Sequence, residues 1–414
     1  MANRLTRNIM IGLVLGILVG ALIHAQITDP ALLESISKWL GLVTKVFLRL
    51  IKMIIAPLVF ATLVSGIAHM GDKAALGRVG AKTIGWFFGA TIVSLSLGMV
   101  LVNLLQPGVG ANFTLPPADA VSGITKPSSD IFTIVAEMFP QSIAEAMSNN
   151  TILPIVIFSL FFGVGVTTAG PKAAPIIKAV DALVEVMLQV TNFVMKISPF
   201  AVFAAMAKVI AVNGLGIMVT FAWFIGSFYF GLVVLWLVLI FAAYLVIGKR
   251  TIGLIRAIRE PILLAFSTAS SEAAYPRTLE VLEKFGIPPR IAGFVLPLGY
   301  SFNLDGSMMY MTFATLFLAQ IYQIDLSVGQ QIAMLLTLLI TSKGMAAVPR
   351  ASLVVISAVM VQFGLPESGL VLILAIDQFL DMGRSGTNVV GNAVATAVVA
   401  KWEGALGEPE TKDP

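Results

Sequence analysis

Residues 214–248 carry no charged side chain and run straight into Lys249 and Arg250. A helix needs about 20 apolar residues to cross the hydrocarbon of a bilayer. In lipid, every backbone N–H and C=O must find its partner inside the protein, so such a run has to fold on itself as a helix. Further helices are expected over 9–25, 38–70, 83–105, 130–147, 151–169 and 171–212. Apolar residues make up 58% of the chain and charged ones 12%, against roughly 45–50% and 25% in soluble domains. These values define an integral membrane protein.

The same composition removes several function classes. Cysteine is absent, which excludes disulfides, thiolate metal sites and cysteine nucleophiles. His24 and His69 are the only imidazoles, so neither a zinc centre nor histidine-based catalysis is expected, and the chain does not read as an enzyme. The net charge of +4 is small and its cations sit mostly in short connecting segments, which gives no nucleic-acid signal. The opening MANRLTRN passes into a first helix, with no cleavage pattern of a signal peptide.

Basic residues in the N-terminus, in a loop at 71–82 and in a loop at 249–260 all belong on the cytoplasmic side by the positive-inside rule. The acidic stretch 27–37, with Asp29 and Glu34, and the Pro/Gly/Ser-rich stretch 106–129 then read as external loops. Lys45, Arg49 and Lys52 form a basic stripe suited to interfacial anchoring or to a partner subunit.

Against this background, 376–392 (IDQFLDMGRSGTNVVGN) is an anomaly. Asp377, Asp381, Arg384 and Asn388 follow at i, i+4, i+7 and i+11, one face of a helix. Each charge at such depth costs roughly 2.5–3.5 kcal/mol on insertion scales, so a row of them marks a binding site or pathway facing protein.

Upstream, 261–284 and 326–367 are apolar but broken by small residues, polar residues and proline. They share Ala-Ala-x-Pro-Arg at 273–277 and 346–350, and each is followed by an acidic motif, FNLDG at 302–306 and FLDMG at 379–383. The second half therefore reads as two copies of one unit, a broken helical hairpin followed by a spanning helix. Paired interruptions of this kind point to the binding site of a secondary transporter.

At these motifs the chain resembles the glutamate transporter family, the dicarboxylate/amino acid:cation symporters, over essentially all 414 residues. The resemblance rests on the serine-rich first hairpin, NLDG at 303–306, the second hairpin with Pro349, and DMGR at 381–384 followed by Asn388. It implies an all-α protomer of eight transmembrane helices and two re-entrant hairpins with inverted repeats, a homotrimer in lipid, and an elevator mechanism gated by the second hairpin. It also implies a scaffold from 1–82 and 108–213, a transport domain from 83–107 and 214–402, and a cytoplasmic tail at 403–414. The location it implies is the bacterial inner membrane, with both termini cytoplasmic. No cofactor is expected.

Carried over residue by residue, Arg384 would hold the substrate's distal carboxylate, since a guanidinium matches it bidentately. Asp381 would accept the ammonium group, and Asn388 with Ser270 and Ser271 the α-carboxylate. Ser307, Ser385, Val348 and Pro349 complete the expected substrate set. The Arg384/Asp381 pair favours glutamate or aspartate, with C4-dicarboxylates such as succinate, fumarate or malate as the alternative.

Asn303, Asp305 and Asn388 match a residual sodium site. Asn392, however, stands where sodium-coupled relatives carry an aspartate ligand, and Phe87, Ala90 and Thr91 stand where helix 3 supplies a tyrosine, a threonine and a serine. Glu272 occupies a hairpin position that is serine in many such relatives. Proton coupling follows as the expectation, with Glu272 the leading carrier and Asp305 second. The alternative is that Glu272 pairs with Arg277 and never titrates. Lys343 and Arg350 place unusual charge at the gate.

Overall fold

The computed structural model describes residues 2–69, 73–110, 136, 139–149, 151–214, 221–342, 351–374 and 376–408. Seventeen α-helices and no strand occur among them. The first seven are α1 (Ala2–Gln26), α2 (Pro30–Ala68), α3 (Lys73–Leu105), α4 (Ile143–Ser148), α5 (Ile152–Ala169), α6 (Ala174–Met195) and α7 (Ser198–Asn213). There follow α8 (Ala222–Ile247), α9 (Arg250–Ala257), α10 (Arg259–Thr268), α11 (Ser271–Lys284), α12 (Pro289–Phe302) and α13 (Asp305–Ile321). The chain closes with α14 (Val328–Thr341), α15 (Ala351–Gln362), α16 (Leu370–Leu374) and α17 (Asp377–Trp402). Four helical stretches, Arg7–Gln26, Leu76–Leu105, Pro154–Met195 and Ala222–Ile247, are long and apolar enough to cross a membrane.

Three expected loops are helical instead. The stretch 27–37 narrows to a short linker, because Asp29 accepts from the Ala31 N–H at 3.0 Å and Pro30 opens α2, a cap-and-proline start. Residues 73–82 form the first turns of α3, and 249–260 hold α9 and the start of α10. Conversely, the single helix expected over 171–212 is two. Pro199 brings no N–H to the turn at 196–197, and Ser198 Oγ donates to the Met195 carbonyl at 2.7 Å, so α7 starts afresh.

Two packing groups result. α1 lies against α7 with Gly12, Gly16 and Gly20 at the seam, where a Cβ would come 2.5–2.7 Å from the carbonyl oxygens of Pro199, Phe203 and Ala207. α2 packs on α5, α6 and α7. The second group surrounds α17, which touches α3, α8, α10, α11, α12 and α13. Within it, α3 approaches α13 so closely that a Cβ on Gly98 would lie 2.5 Å from the Met309 carbonyl. The groups meet where α12 crosses α2 and α10 crosses α1 and α7.

The first expected hairpin is a helix–turn–helix. α10 and α11 meet at Ala269, whose φ of 49° is left-handed, and Ser270 caps α11 by accepting from the Ala273 N–H at 3.2 Å. Arg277 on α11 forks onto Glu260 of α10 at 2.8 and 3.1 Å and also holds Glu280. α14 and α15 form the arms of the second hairpin, while its tip, with Lys343, Val348, Pro349 and Arg350, lies outside the described residues.

Candidate functional site

α17 is buried on every side from Met382 to Ala400, although Arg384, Ser385, Thr387, Asn388, Asn392 and Thr396 lie along it. Trp236 Nε1 on α8 donates to Thr387 Oγ1 at 2.8 Å, and Tyr229 Oη donates to the Phe379 carbonyl at 2.6 Å. These bonds fix the rotation of α17 and hence the direction of its charged face.

Arg384 is 1% exposed and its Nη2 lies 2.9 Å from one oxygen each of Asp377 and Asp381. Its guanidinium carbon sits 4.0 Å from the centre of the Tyr310 ring, whose hydroxyl donates to Asp377 at 3.4 Å. The two carboxylates differ in surroundings. The Asp377 side chain is 3% exposed and that of Asp381 is 32%, so Asp381 faces the open side of the site. A guanidinium carries five N–H donors. Nε and Nη1, which bear three of them, have no hydrogen-bond partner among the described residues. A buried donor set of that size without an acceptor is costly, and a carboxylate is the planar ligand that fits it.

Asn388 faces the start of α13. Its Oδ1 accepts from the N–H groups of Gly306 at 3.0 Å and Ser307 at 3.4 Å, and its Nδ2 donates to Ser307 Oγ at 3.3 Å. It thus stitches α17 to α13, and the structure brings Ser307 and Asn388 together. Ser385 is buried on α17 beside Arg384. Ser270 and Ser271 sit at the hairpin tip as cap and first residue of α11.

The backbone between α12 and α13 leaves helical geometry at Asn303 and Leu304. Asp305, fully buried, opens α13 there. Asn303 Nδ2 donates to Asp305 Oδ2 at 3.0 Å and to Asn392 Oδ1 at 3.3 Å, and Ser94 Oγ of α3 donates to Asp305 Oδ1 at 3.1 Å. Of the remaining amide atoms, Asn303 Oδ1 and Asn392 Nδ2 have no partner among the described residues. The first would suit a cation; the second, a donor, would repel one. Asn388 of the expected sodium set is turned instead to the α13 backbone. Among the described residues no three His, Cys, Asp or Glu side chains cluster as a metal site.

Three residues of this region carry roles that sequence reasoning did not assign. Asp377 was placed on the charged face but given no task; its spacing of seven from Arg384, two helical turns, was the signal. Tyr310 has no periodic signal, since nearly all of α13 is buried. Ser94 sits one turn beyond Thr91, whose own hydroxyl donates to the Phe87 carbonyl at 2.7 Å; a lone polar residue on that face of an apolar helix was the available clue. Glu272 lies half-buried in the first turn of α11, and Arg277 is committed to Glu260 and Glu280.

An all-helical membrane bundle that holds a buried arginine against two carboxylates of one helix, beside a helix break at Asn303–Leu304, defines a secondary transporter for a small anionic substrate. The model of the sodium:dicarboxylate symporter family matches residues 5–402, and the chain belongs to that family. It is 39% identical to a proton/sodium-glutamate symport protein of Bacillus caldotenax, covering 98% of this chain and 96% of that one. It is also 39% identical to a proton/glutamate-aspartate symporter of Escherichia coli K12 (96% and 92%) and 38% identical to a C4-dicarboxylate transport protein of Deinococcus radiodurans (96% and 89%).

Proposed function

We propose that the protein is a proton-driven symporter that takes up glutamate or aspartate. The observation that carries this reading is the Arg384 cluster. Three unused guanidinium N–H groups donate to the substrate's distal carboxylate, while Asp381, one-third exposed, swings from Arg384 to the substrate's ammonium group. Asp377, buried and already paired, stays behind as the counterion of Arg384. Ser270, Ser271 and Asn388 serve the α-carboxylate, with Ser307 and Ser385 lining the same space and Val348 and Pro349 closing it from the second hairpin.

Movement follows from the two packing groups. α1, α2 and α4–α7 act as the fixed scaffold of a homotrimer with both termini cytoplasmic. The unit around α17, including both re-entrant hairpins and α3, carries the substrate across as an elevator. At its crossing with α2, Gly66 and Gly293 bring the α2 and α12 backbones close together, which suits a sliding contact.

Proton coupling is supported by the amide Nδ2 of Asn392, a donor without a partner among the described residues that a cation bound in the Asn303–Asp305 cluster would meet. Glu272, a half-buried carboxylate in the first turn of α11 at the hairpin tip, is the proton carrier in this reading, and Asp305 the second candidate. A C4-dicarboxylate is the second reading, favoured by the closed Arg384–Asp381 pair, which needs no ammonium group to satisfy Asp381. Uptake into proteoliposomes with an inward proton gradient and no sodium tests the assignment. Labelled glutamate or aspartate should accumulate, and Glu272→Gln should abolish the dependence on the gradient. Accumulation of succinate alone, or uptake only when sodium is added, would overturn it.

A further inference from the structure

α8 contains 26 residues, about 39 Å of helix at 1.5 Å per residue, which exceeds the roughly 30 Å of hydrocarbon. Its exposed side carries Phe241 at 62% and Leu245 at 69%, the surface of a helix that faces lipid. Gly248, with φ 62°, and Lys249 then turn the chain directly into α9. The covalent link therefore keeps α9 at the end of α8, and in this conformation that end is where the apolar run gives way to cations, the level at which headgroups begin.

α9 buries Thr251 and Leu254, and Ile258 just beyond its end, against the bundle. The opposite stripe carries Lys249, Ile252, Gly253 and Arg256, spaced i, i+3, i+4 and i+7, all exposed. Ile252 is 56% exposed between the two cations and continues the lipid-facing band of α8. Several other cations at this end of the bundle are already engaged. Lys82 and Arg78 hold Glu403, Lys284 holds Glu280, and Arg250 Nη2 donates to the carbonyls of Gly407 at 2.6 Å and Phe285 at 3.2 Å. Lys249 and Arg256 take part in no ion pair among the described residues.

We propose that the stripe Lys249–Ile252–Arg256 is a binding site for anionic phospholipid headgroups, with Ile252 inserted into the interfacial layer and the two cations on the phosphates. Each cation near an anionic membrane surface contributes about 1 kcal/mol, and an apolar residue between cations is the pattern of a helix lying in the interface. This assignment does not depend on the substrate or coupling ion.

The test exploits the absence of native cysteine. An Ile252→Cys variant is labelled with a fluorophore and reconstituted, without substrate, into phosphatidylcholine bilayers. These contain a small amount of headgroup-spin-labelled phosphatidylglycerol or, separately, headgroup-spin-labelled phosphatidylcholine. The anionic quencher should associate more strongly, by about thirtyfold for two cations. Lys249→Gln with Arg256→Gln, or concentrated salt, should reduce that preference to about one. Gel filtration of the double variant at the wild-type volume excludes misfolding as the cause. Equal quenching by the two lipids overturns the proposal, as does a preference that survives the double substitution.

Discussion

Replacing Arg384 with Ala removes the guanidinium that lies 2.9 Å from both Asp377 and Asp381. Asp377 is only 3% exposed, so the variant leaves an uncompensated carboxylate in the bundle. Breaking a buried pair in this way costs about 3–5 kcal/mol. A second substitution, Asp377→Asn, removes that carboxylate and should return most of the loss, whereas Asp381→Asn should return little because Asp381 is one-third exposed. Substrate recognition behaves differently. Losing the cationic partner of a buried carboxylate costs about 2–5 kcal/mol of binding, roughly thirtyfold to several thousandfold in Kd, and Asp377→Asn cannot restore it. Thermal unfolding followed by the five tryptophans, with and without glutamate, aspartate and succinate, separates the two effects. The reasoning fails if Arg384→Ala unfolds at the wild-type temperature, or if the doubly substituted protein is still stabilised by acidic ligands as wild type is.

Two further outcomes are expected. Asn392→Asp sets a second carboxylate beside the Asn303–Asp305 pair, so the variant should lose stability in potassium and regain it in sodium, by about 2.7 kcal/mol when sodium stands a hundredfold above its Kd; a melting temperature indifferent to sodium would refute the cation-site argument. Arg277→Met strands Glu260, which is 4% exposed, and should destabilise the first hairpin by about 3–5 kcal/mol; combining it with Glu260→Gln should recover most of this, and hydrogen exchange across 259–284 reads whether the loss is confined to the hairpin.

Membrane residence, the charged face of α17 and the break between α10 and α11 were legible in the sequence. Each follows from local rules: apolar length, helical spacing, and proline or small residues that interrupt a run. The chain's family and the pairing of Asp381 with Arg384 were legible for the same reason, since residues three apart on a helix are neighbours. Helix ends were less so. The loop expected at 249–260 is helical because Thr251, Leu254 and Ile258 find apolar partners on other elements, which no local pattern announces. The helix expected over 171–212 splits at a proline that the apolar run concealed.

Partners distant in sequence had to wait for the fold. Ser94 reaches Asp305 across 211 positions and Asn388 reaches Gly306 across 82. Tyr310 stacks on Arg384 only because α13 and α17 cross where their broken ends meet. A helix buried all round, such as α17 or α13, has no polar face to read, so its periodicity says where it lies but not which side chain it turns to which neighbour. The sequence alone determined that charges lie within the membrane and on which face of α17. Tertiary structure decided which carboxylate is sealed in with Arg384 and which stays open, because that difference is one of burial, and burial belongs to the surrounding helices.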